Sequence, residues 1–229
     1  MLKVGGGLAQ RYFITSTGTG IGKTYVTAAL IRQAKALGLT VAATKPVISG
    51  FDKREIAASD TGAILAALGE DLSPENVEKI SPWRFAAPLA PSLAARAEGR
   101  SLDCAALFAQ GRAFLRQDAD LLLIEGVGGV MVPLDANNTV LDWVVALGAP
   151  TVLVVGDYLG TISHTLTAVE VLRMRGVELA AIVVSQGLAN EPFSYAPSEI
   201  AHRIAPLPVL RLPYAAQGES LAGLVRNKG

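Results

Sequence analysis

The sequence predicts an α/β fold: a single domain in which a doubly wound, mostly parallel sheet carries helices on both faces. Short apolar runs alternate with longer amphipathic segments throughout the chain. Most of these runs are continuous rather than alternating, which is typical of strands covered on both faces. Several helical segments end in a glycine followed by an apolar residue and a new strand, namely Gly38-Leu39, Gly148-Ala149 and Gly176-Val177. That order is expected where a left-handed C-cap returns the chain to a parallel strand.

The predicted elements follow in chain order. Strands are expected at Tyr12–Thr15, Thr40–Thr44, Leu121–Ile124, Thr151–Val155, Leu179–Val184 and Val209–Leu212. Helices are expected at Lys23–Leu37, Asp60–Leu68, Cys104–Arg116, Val140–Leu147, Ser163–Arg175 and Ser198–Ile204. The proline-bearing stretch Ser81–Pro91 is expected to be one long irregular insertion. Residues 1–10 are interpreted as a loose lead-in to a domain over residues 11–229.

Composition excludes several classes of protein. Lys plus Arg and Asp plus Glu both total 20, and no basic run occurs, so nucleic acid is not expected as a main partner. The single cysteine excludes an intrachain disulfide framework and any multi-cysteine metal site. Neither a signal peptide nor a membrane-spanning run is recognisable, so we expect a cytoplasmic protein without a membrane partner.

The segment TSTGTGIGKT (residues 15–24) joins the first strand to the first helix. Gly18, Gly20 and Gly22 allow backbone N–H groups to turn towards an anion at a helix N-terminus. Lys23 would neutralise phosphate oxygens and Thr24 would reach Mg²⁺. The strict phosphate-loop pattern requires glycine at position 17, where threonine stands, so a glycine-rich turn without a ligand is the alternative.

Polar residues also follow the next two strands, where ligands bind in such sheets. Lys45 follows the second strand, with Ser49 shortly after it, and Glu125 follows the third. A carboxylate that closes a buried strand is either a salt-bridge partner or a Mg²⁺ ligand. Asp60 is either the N-cap of its helix or a second metal-binding carboxylate. Gly126, Gly128 and Gly129 would let the backbone approach a ligand closely.

The fourth strand runs into the loop 156–164. Thr161 and Ser163 are possible helix caps, and the helix N-terminus could bind a substrate carboxylate. His164, His202 and Cys104 are interpreted as structural residues. Together the strand ends indicate a nucleoside triphosphate, Mg²⁺ and phosphoryl transfer on a P-loop NTPase-like fold.

The motifs resemble those of ATP-dependent dethiobiotin synthetase from about Tyr12 to about Gly218. In that family the phosphate loop has the form T-G-T-D-T-x-V-G-K-T, one residue longer than the strict pattern, so threonine at position 17 fits. The other matching segments are KPVISG (45–50), SD (59–60), FAAPLAPSLAARAEG (85–99), EGVGGVMVPL (125–134), DW (142–143), LGTISH (159–164) and LPY (212–214).

The resemblance implies a homodimeric ligase that converts ATP, CO₂ and 7,8-diaminononanoate to dethiobiotin, ADP and phosphate through a carbamate and a carbamic-phosphoric mixed anhydride. Implied catalytic residues are Lys45, Lys23 and Thr19, and implied metal ligands for Mg²⁺ are Thr24, Asp60 and Glu125. Implied substrate contacts are Ser49, Gly128, Leu159, Gly160, Thr161 and Ser163, the last four near the partner subunit. Implied ATP contacts are Gly20, Ile21, Gly22, Lys23, Thr24, Tyr25, Asp60, Glu125, Gly126, Val127, Gly128, Ser185, Gln186, Leu212, Pro213 and Tyr214.

The chain departs from the family pattern at several positions. Ser16 replaces the first loop glycine and Gly18 replaces an aspartate. Ser185-Gln186 replaces the Asn-Asp pair of the adenine site, and Gln217 replaces an acidic residue, so we expect looser recognition of adenine. The rival interpretations are a switch ATPase of the partition or cell-division type, a cobyrinic acid-type amidotransferase and a nucleotide-binding module without catalysis. A switch ATPase of that type carries a signature lysine six residues before the loop lysine, where Thr17 stands in this chain. An amidotransferase of the cobyrinic acid type needs a glutaminase domain, for which this chain has no room.

Overall fold

A computed structural model describes residues 9–186, 194–216 and 219–225. Six strands form one sheet in the order β2-β5-β1-β6-β7-β8, and every pair in it is parallel. The predicted doubly wound parallel sheet is therefore confirmed. The strands are β1 (Gln10–Ser16), β2 (Val41–Thr44), β3 (Val47–Ser49), β4 (Trp83–Phe85), β5 (Leu121–Glu125), β6 (Thr151–Gly156), β7 (Leu179–Ser185) and β8 (Val209–Leu212). The helices are α1 (Lys23–Ala36), α2 (Asp60–Leu68), α3 (Pro74–Ile80), α4 (Pro91–Ala97), α5 (Cys104–Phe114), α6 (Val140–Leu147), α7 (Thr161–Met174) and α8 (Ala196–Ile204).

The strand order reverses at β1, which lies between β5 and β6. The chain builds one side of the sheet with β2 and β5 and the other side with β6, β7 and β8. Loops leave opposite faces at such a reversal and open a crevice at the carboxyl ends of the strands. The loops after β1, β2 and β5 therefore meet at one edge, where the candidate site lies.

Two hydrophobic clusters cover the two faces of the sheet. Phe13 of β1 faces the cluster that includes α5 to α8, and its ring packs edge-on against Trp143 at 4.9 Å between centroids. Ile14, the next residue, faces the cluster that includes α1 to α3. All five residues of β5 are buried. Burial of each large side chain contributes about 1.5–3 kcal/mol, so a sheet covered on both faces forms a rigid base for the loops.

Glycines lie at three predicted junctions between a helix and the following strand, as expected. Gly38, Gly148 and Gly176 have φ values of 72°, 61° and 71°, which is the left-handed region that glycine enters without strain. The 14-residue helix α1 begins at Lys23, as predicted. β1 begins at Gln10, two residues before the predicted start of the strand at Tyr12.

The predicted irregular insertion is more ordered than the sequence indicates. Its residues Trp83–Phe85 form β4, which pairs in parallel with Val47–Ser49 in a separate two-stranded sheet. Its last residue, Pro91, opens α4. The sequence interpretation missed these pieces because three-residue strands and seven-residue helices are too short to show a period. Helix α3 carried a readable signal, since Ser73 caps its N-terminus and Pro74 occupies its first turn.

No helix among the described residues combines the length and apolar character needed to cross a bilayer.

Candidate active site

The loop between β1 and α1 forms a cradle of backbone groups. Gly20 and Gly22 have φ values of 73° and 99°, which only glycine adopts without strain, and Gly22 is the N-cap of α1. Gly129, in the loop after β5, lies directly against this turn, because a Cβ at Gly129 would lie 3.1 Å from the carbonyl of Thr17. The loop thus presents backbone N–H groups and the positive end of α1 to an anion.

Lys23 points inward under this loop. Its Nζ donates to Ser16 Oγ at 3.0 Å and to the Gly18 carbonyl at 3.3 Å. Burial, together with the charge of Lys45, lowers the pKa of Lys23 from 10.5 to about 8, although Glu125 and Asp60 act in the opposite direction. An ammonium group held without a carboxylate hydrogen bond of its own is suited to an incoming anion such as phosphate.

Lys45, directly after β2, holds two carboxylates together. Its Nζ lies 2.6 Å from Glu125 Oε1 and 2.9 Å from Asp60 Oδ2. Burial alone would lower the pKa of Lys45, but the two carboxylates outweigh burial and raise it. Lys45 is therefore a fixed positive charge at the bottom of the site.

Glu125 is fully buried at the end of β5. Besides Lys45, it accepts hydrogen bonds from Thr24 Oγ1 at 2.6 Å and from Thr27 Oγ1 at 2.7 Å. The interpretation of Glu125 as a buried salt-bridge partner is thus correct. The sequence interpretation missed Thr27, although its position three residues after Thr24 places both hydroxyls on one face of α1.

Asp60 is not a helix cap. The N-cap of α2 is Ser59, whose side chain accepts from the Gly62 N–H at 3.2 Å, so the N-cap interpretation of Asp60 is wrong. Asp60 is the first residue of the helix, and its half-exposed carboxylate faces Lys45. Burial raises the pKa of Asp60, but the charge of Lys45 and hydrogen bonds from Lys45 and Thr24 lower it overall. Asp60 is an ionised carboxylate aimed at the site.

The donor set around Lys45 suits a hard divalent cation. The carboxylates of Asp60 and Glu125 contact the Lys45 ammonium, and the Thr24 hydroxyl bonds to both carboxylates. Mg²⁺ prefers such oxygens and commonly combines one or two carboxylates with phosphate oxygens. Within the described residues, no group of three or more His, Cys, Asp or Glu side chains forms a complete metal cage. The donors therefore fit Mg²⁺ that is held jointly with nucleotide phosphates.

A cavity of about 490 Å³ opens over these groups and has two unlike walls. The polar wall consists of predicted site residues: Thr19, Gly20, Gly22, Lys23, Thr24, Tyr25, Lys45, Ser49, Asp60, Val127 and Gly128. The remaining lining residues form an apolar wall that the sequence did not predict: Ile48, Pro88, Leu89, Ala90, Pro91 and Val132. The proline-bearing part of this wall belongs to the segment 85–99 that matches the family pattern, but the sequence assigns it no site residue. Ser49 Oγ is buried with no hydrogen-bond partner among the described residues, so it is available to a ligand.

A second group of predicted residues lies outside this cavity, at the ends of β7 and β8. Ser185 is buried behind the phosphate loop, since a Cβ at Gly22 would lie 2.6 Å from Ser185 Oγ. The Gln186 N–H donates to the Leu212 carbonyl at 3.1 Å, and Gln186 Oε1 accepts from the Tyr214 N–H at 3.0 Å. Tyr25 Oη lies 3.0 Å from the Pro213 carbonyl. Gln217 lies outside the described residues.

The loop after β6 also lies apart from the cavity. Leu159 is fully exposed, and Gly160 is the N-cap of α7. Thr161 Oγ1 donates to the Gly156 carbonyl at 2.6 Å, and no side chain caps the helix, so the prediction of Thr161 and Ser163 as caps is wrong. Of the remaining predicted residues, Gly126 donates to the Ile14 carbonyl at 2.9 Å and, like Ile21, does not line the cavity.

A glycine cradle and a buried lysine at the carboxyl edge of a parallel sheet define the class of P-loop nucleotide-binding α/β proteins, and solved structures agree. The septum site-determining protein MinD of Pyrococcus horikoshii, solved with Mg-ADP, matches 95% of this chain and 93% of its own with a TM-score of 0.52 at 16% identity. Chloroplast FtsY of Physcomitrella patens matches 98% of this chain and 66% of its own with a TM-score of 0.53 at 14% identity. At these identities the likeness shows the fold alone.

Sequence relatives give the particular family. Residues 10–218 match the protein family described as AAA domain. An ATP-dependent dethiobiotin synthetase BioD of Phenylobacterium zucineum is 50% identical over 82% of this chain and 80% of its own. The enzyme of the same name from Anaeromyxobacter sp. is 41% identical over 88% of this chain and 89% of its own. The chain belongs to the ATP-dependent dethiobiotin synthetase family.

Proposed function

We propose that this protein is an ATP-dependent cyclo-ligase that converts 7,8-diaminononanoate and CO₂ to dethiobiotin, with release of ADP and phosphate. The observation that carries the proposal is the two-sided cavity. Lys23, Lys45 and the two carboxylates provide a phosphoryl-transfer site, and apolar residues line another part of the same cavity. A substrate with reactive polar groups at one part and an alkyl chain at another fits both walls. Membership of the family supports the same reaction.

The reaction proceeds in three balanced steps. One substrate amine adds to CO₂, which forms a C–N bond and releases a proton to give a carbamate. A carbamate oxygen then attacks the γ-phosphorus of ATP, the bond to the β-phosphate oxygen breaks, and ADP leaves. The second amine attacks the carbonyl carbon of this mixed anhydride, phosphate leaves with the bridging oxygen, and the ring closes after loss of a proton.

The chain's own residues position and neutralise these groups. The N–H groups of Gly20 to Thr24 and the start of α1 bind the phosphates. Lys23 and Lys45 stabilise the charge that develops on the transferring phosphoryl group and the carbamate. Thr19 and Ser49 contact the diamine or the carbamate, for which Ser49 has an unused buried hydroxyl. Mg²⁺, held by Thr24, Asp60 and Glu125, would neutralise phosphate charge.

The base of the nucleotide lies, in this proposal, at the ends of β7 and β8. Ser185, Gln186, Leu212, Pro213 and Tyr214 would form its surroundings. Tyr25 connects this region to α1 through the Pro213 carbonyl. ATP is the nucleotide that the family name specifies for the relatives, and the residues that replace the Asn-Asp pair would make the choice of base less strict.

We also propose a cytoplasmic homodimer. A groove of about 480 Å³ lined largely by apolar residues follows the loops after β1 and β5 and helix α7. Met131 within it is 59% exposed, and Leu159, in the loop that leads into α7, is fully exposed, as expected of a surface that a second copy covers. The loop Leu159–Ser163 of one subunit would then contact the substrate carboxylate in the other.

The test is phosphate release with ATP, Mg²⁺ and bicarbonate, with and without 7,8-diaminononanoate, with the product identified by mass. Diamine-dependent release with a dethiobiotin mass supports the proposal. Hydrolysis that is independent of the diamine contradicts it and favours a switch ATPase, whose fold this chain shares.

A further inference from the structure

Two charged residues, Glu98 and Arg100, contact the chain at the start of the loop that forms much of the apolar wall of the cavity. We propose that Glu98 and Arg100 are positioning residues that hold the loop 86–90 in place and thereby set how the alkyl chain of the substrate lies relative to Lys45. This inference rests on the proposed function. It adds a determinant of diamine binding that does not touch the diamine.

The hydrogen bonds of Glu98 connect the end of α4 to the start of the loop. Glu98 Oε1 accepts from the Ala86 N–H at 2.7 Å, and Oε2 accepts from Arg100 Nη1 at 3.0 Å. The Arg100 guanidinium stacks over the Phe85 ring at 5.1 Å and also donates to the Arg84 carbonyl at 3.4 Å. The two side chains therefore contact residues on both sides of the junction between β4 and the loop.

The loop is also held at its C-terminal end, where the Ala90 carbonyl accepts from the Leu93 and Ala94 N–H groups at 2.9 Å. Residues 86–90 belong to no helix or strand, and Leu89 is 48% exposed. On the cavity side the Ala87 carbonyl accepts from the Gly50 N–H at 3.1 Å. Pro88 packs so closely on the same turn that a Cβ at Gly50 would lie 3.2 Å from it. The loop is thus fixed between the turn that follows Ser49 and the Glu98 carboxylate.

The loop's position matters because it supplies much of the apolar wall. Pro88, Leu89 and Ala90 line the cavity that Lys23 and Lys45 also line. Glu98 and Arg100 do not line it; they line a separate groove of about 380 Å³ together with residues of β4. Their substitution therefore changes the wall without removing any group that contacts phosphate, metal or the reacting atoms.

The expected consequence is selective for one substrate. A displaced wall weakens contact with the alkyl chain, whereas the phosphate loop is a different segment of the chain, between β1 and α1. Glu98→Ala is expected to raise KM for the diamine about 10-fold and KM for ATP less than about 2-fold, since a lost charge-assisted hydrogen bond is of that size. Preference for the substrate over a diamine one methylene longer is expected to fall by about the same factor.

Two further variants sharpen the test. Glu98→Gln retains an oxygen that can accept from Ala86 and is expected to recover most of the diamine KM. The matched control is Glu78→Ala, which removes a carboxylate that pairs with Arg84 at 2.6 Å and does not contact the loop. Its expected effect on either KM is less than about 2-fold. Should Glu98→Ala fail to fold, Arg100→Ala leaves the Ala86 hydrogen bond in place and is expected to raise the diamine KM about 3-fold.

The outcomes separate this inference from the proposed function. Wild-type enzyme without diamine-dependent phosphate release removes the proposed function, and the inference falls with it. Wild-type turnover combined with a Glu98→Ala diamine KM near wild type overturns the positioning role alone. Equal rises in both KM values, or a Glu98→Gln variant as impaired as Glu98→Ala, also overturn it, because a general loss of structure would then explain the effect.

Discussion

The phosphate end and the proposed base end of the site are built differently. At the phosphate end, charged side chains contact one another directly: Lys45 lies within 3 Å of both the half-exposed Asp60 and the fully buried Glu125. At the base end, Gln186 and Tyr25 form hydrogen bonds with backbone groups of Leu212, Pro213 and Tyr214, of which Leu212 is buried and the other two are exposed. The contacts at the phosphate end therefore depend on which side chains are present, whereas those at the base end depend mainly on the path of the backbone.

This difference has a consequence for substitution. A buried charge that loses its partner is strongly destabilising and also loses its chemistry. A side chain that bonds to backbone in an exposed region is worth about 1 kcal/mol, and other residues can replace it. We therefore expect large effects on both turnover and stability at the phosphate end and small effects on nucleotide choice at the base end.

The largest effect is expected for Lys45→Met. Turnover should fall at least about 10³-fold, because the fixed charge at the transferring phosphoryl group is lost. The free energy of unfolding should fall by about 3–5 kcal/mol, because Glu125 is left as an unpaired buried charge. Denaturant unfolding and the phosphate assay measure the two losses. In the double variant Lys45→Met/Glu125→Gln, stability should return while turnover does not; a recovery of turnover would remove Lys45 from the mechanism.

The next effect is expected where the two regions touch. Gly22→Ala places a Cβ 2.6 Å from Ser185 Oγ at a φ of +99°, so both a clash and backbone strain arise. We expect a loss of about 2–4 kcal/mol in unfolding free energy and a higher KM for ATP. Adding Ser185→Ala should recover part of the loss. Gly38→Ala is the matched control, because its φ is +72° but nothing lies within 4 Å, so strain acts alone. Equal losses of unfolding free energy in Gly22→Ala and Gly38→Ala would show that contact with Ser185 adds nothing to the backbone strain.

Much of the phosphate end was predictable from the sequence. Lys45 directly follows β2, Glu125 ends β5, and Lys23 opens α1 after the loop that follows β1, so parallel strands bring all three to one edge of the sheet. The apolar wall was not predictable from the sequence. Ile48 and residues 88–91 come together through two three-residue strands that are far apart in the chain. The role of Asp60 also required coordinates, since an acidic residue after Ser59 reads equally well as a cap or as a ligand.

A smaller effect is expected for Gln186→Ala. It removes the acceptor for the Tyr214 N–H but leaves the backbone bond to Leu212 intact. We expect the ratio of kcat/KM for ATP to that for GTP to change less than about 10-fold, as one exposed hydrogen bond allows. Steady-state kinetics with both nucleotides measures it. A change of several hundred-fold would contradict the contrast between the two ends.

The smallest effect is expected at Cys104, which lies outside both regions. Burial, aided by Asp135, raises the pKa of the Cys104 thiol to about 12, and its residue is 5% exposed. The reactive thiolate is therefore scarce near pH 8, so iodoacetamide should not label the folded protein and should label it in denaturant. Cys104→Ser should leave turnover unchanged. Rapid labelling of the native wild type would contradict the assignment, whereas labelling only in a variant would mark global unfolding there.

The central claim is that the phosphate end transfers the γ-phosphoryl group of ATP to a carbamate of the substrate. The most direct measurement uses ¹⁸O-labelled bicarbonate in ordinary water, with ATP, Mg²⁺ and the diamine, quenched before the label exchanges. The account predicts that released phosphate carries one ¹⁸O atom, because ring closure expels the former carbamate oxygen. Phosphate without label, released at the same rate with and without the diamine, would contradict it.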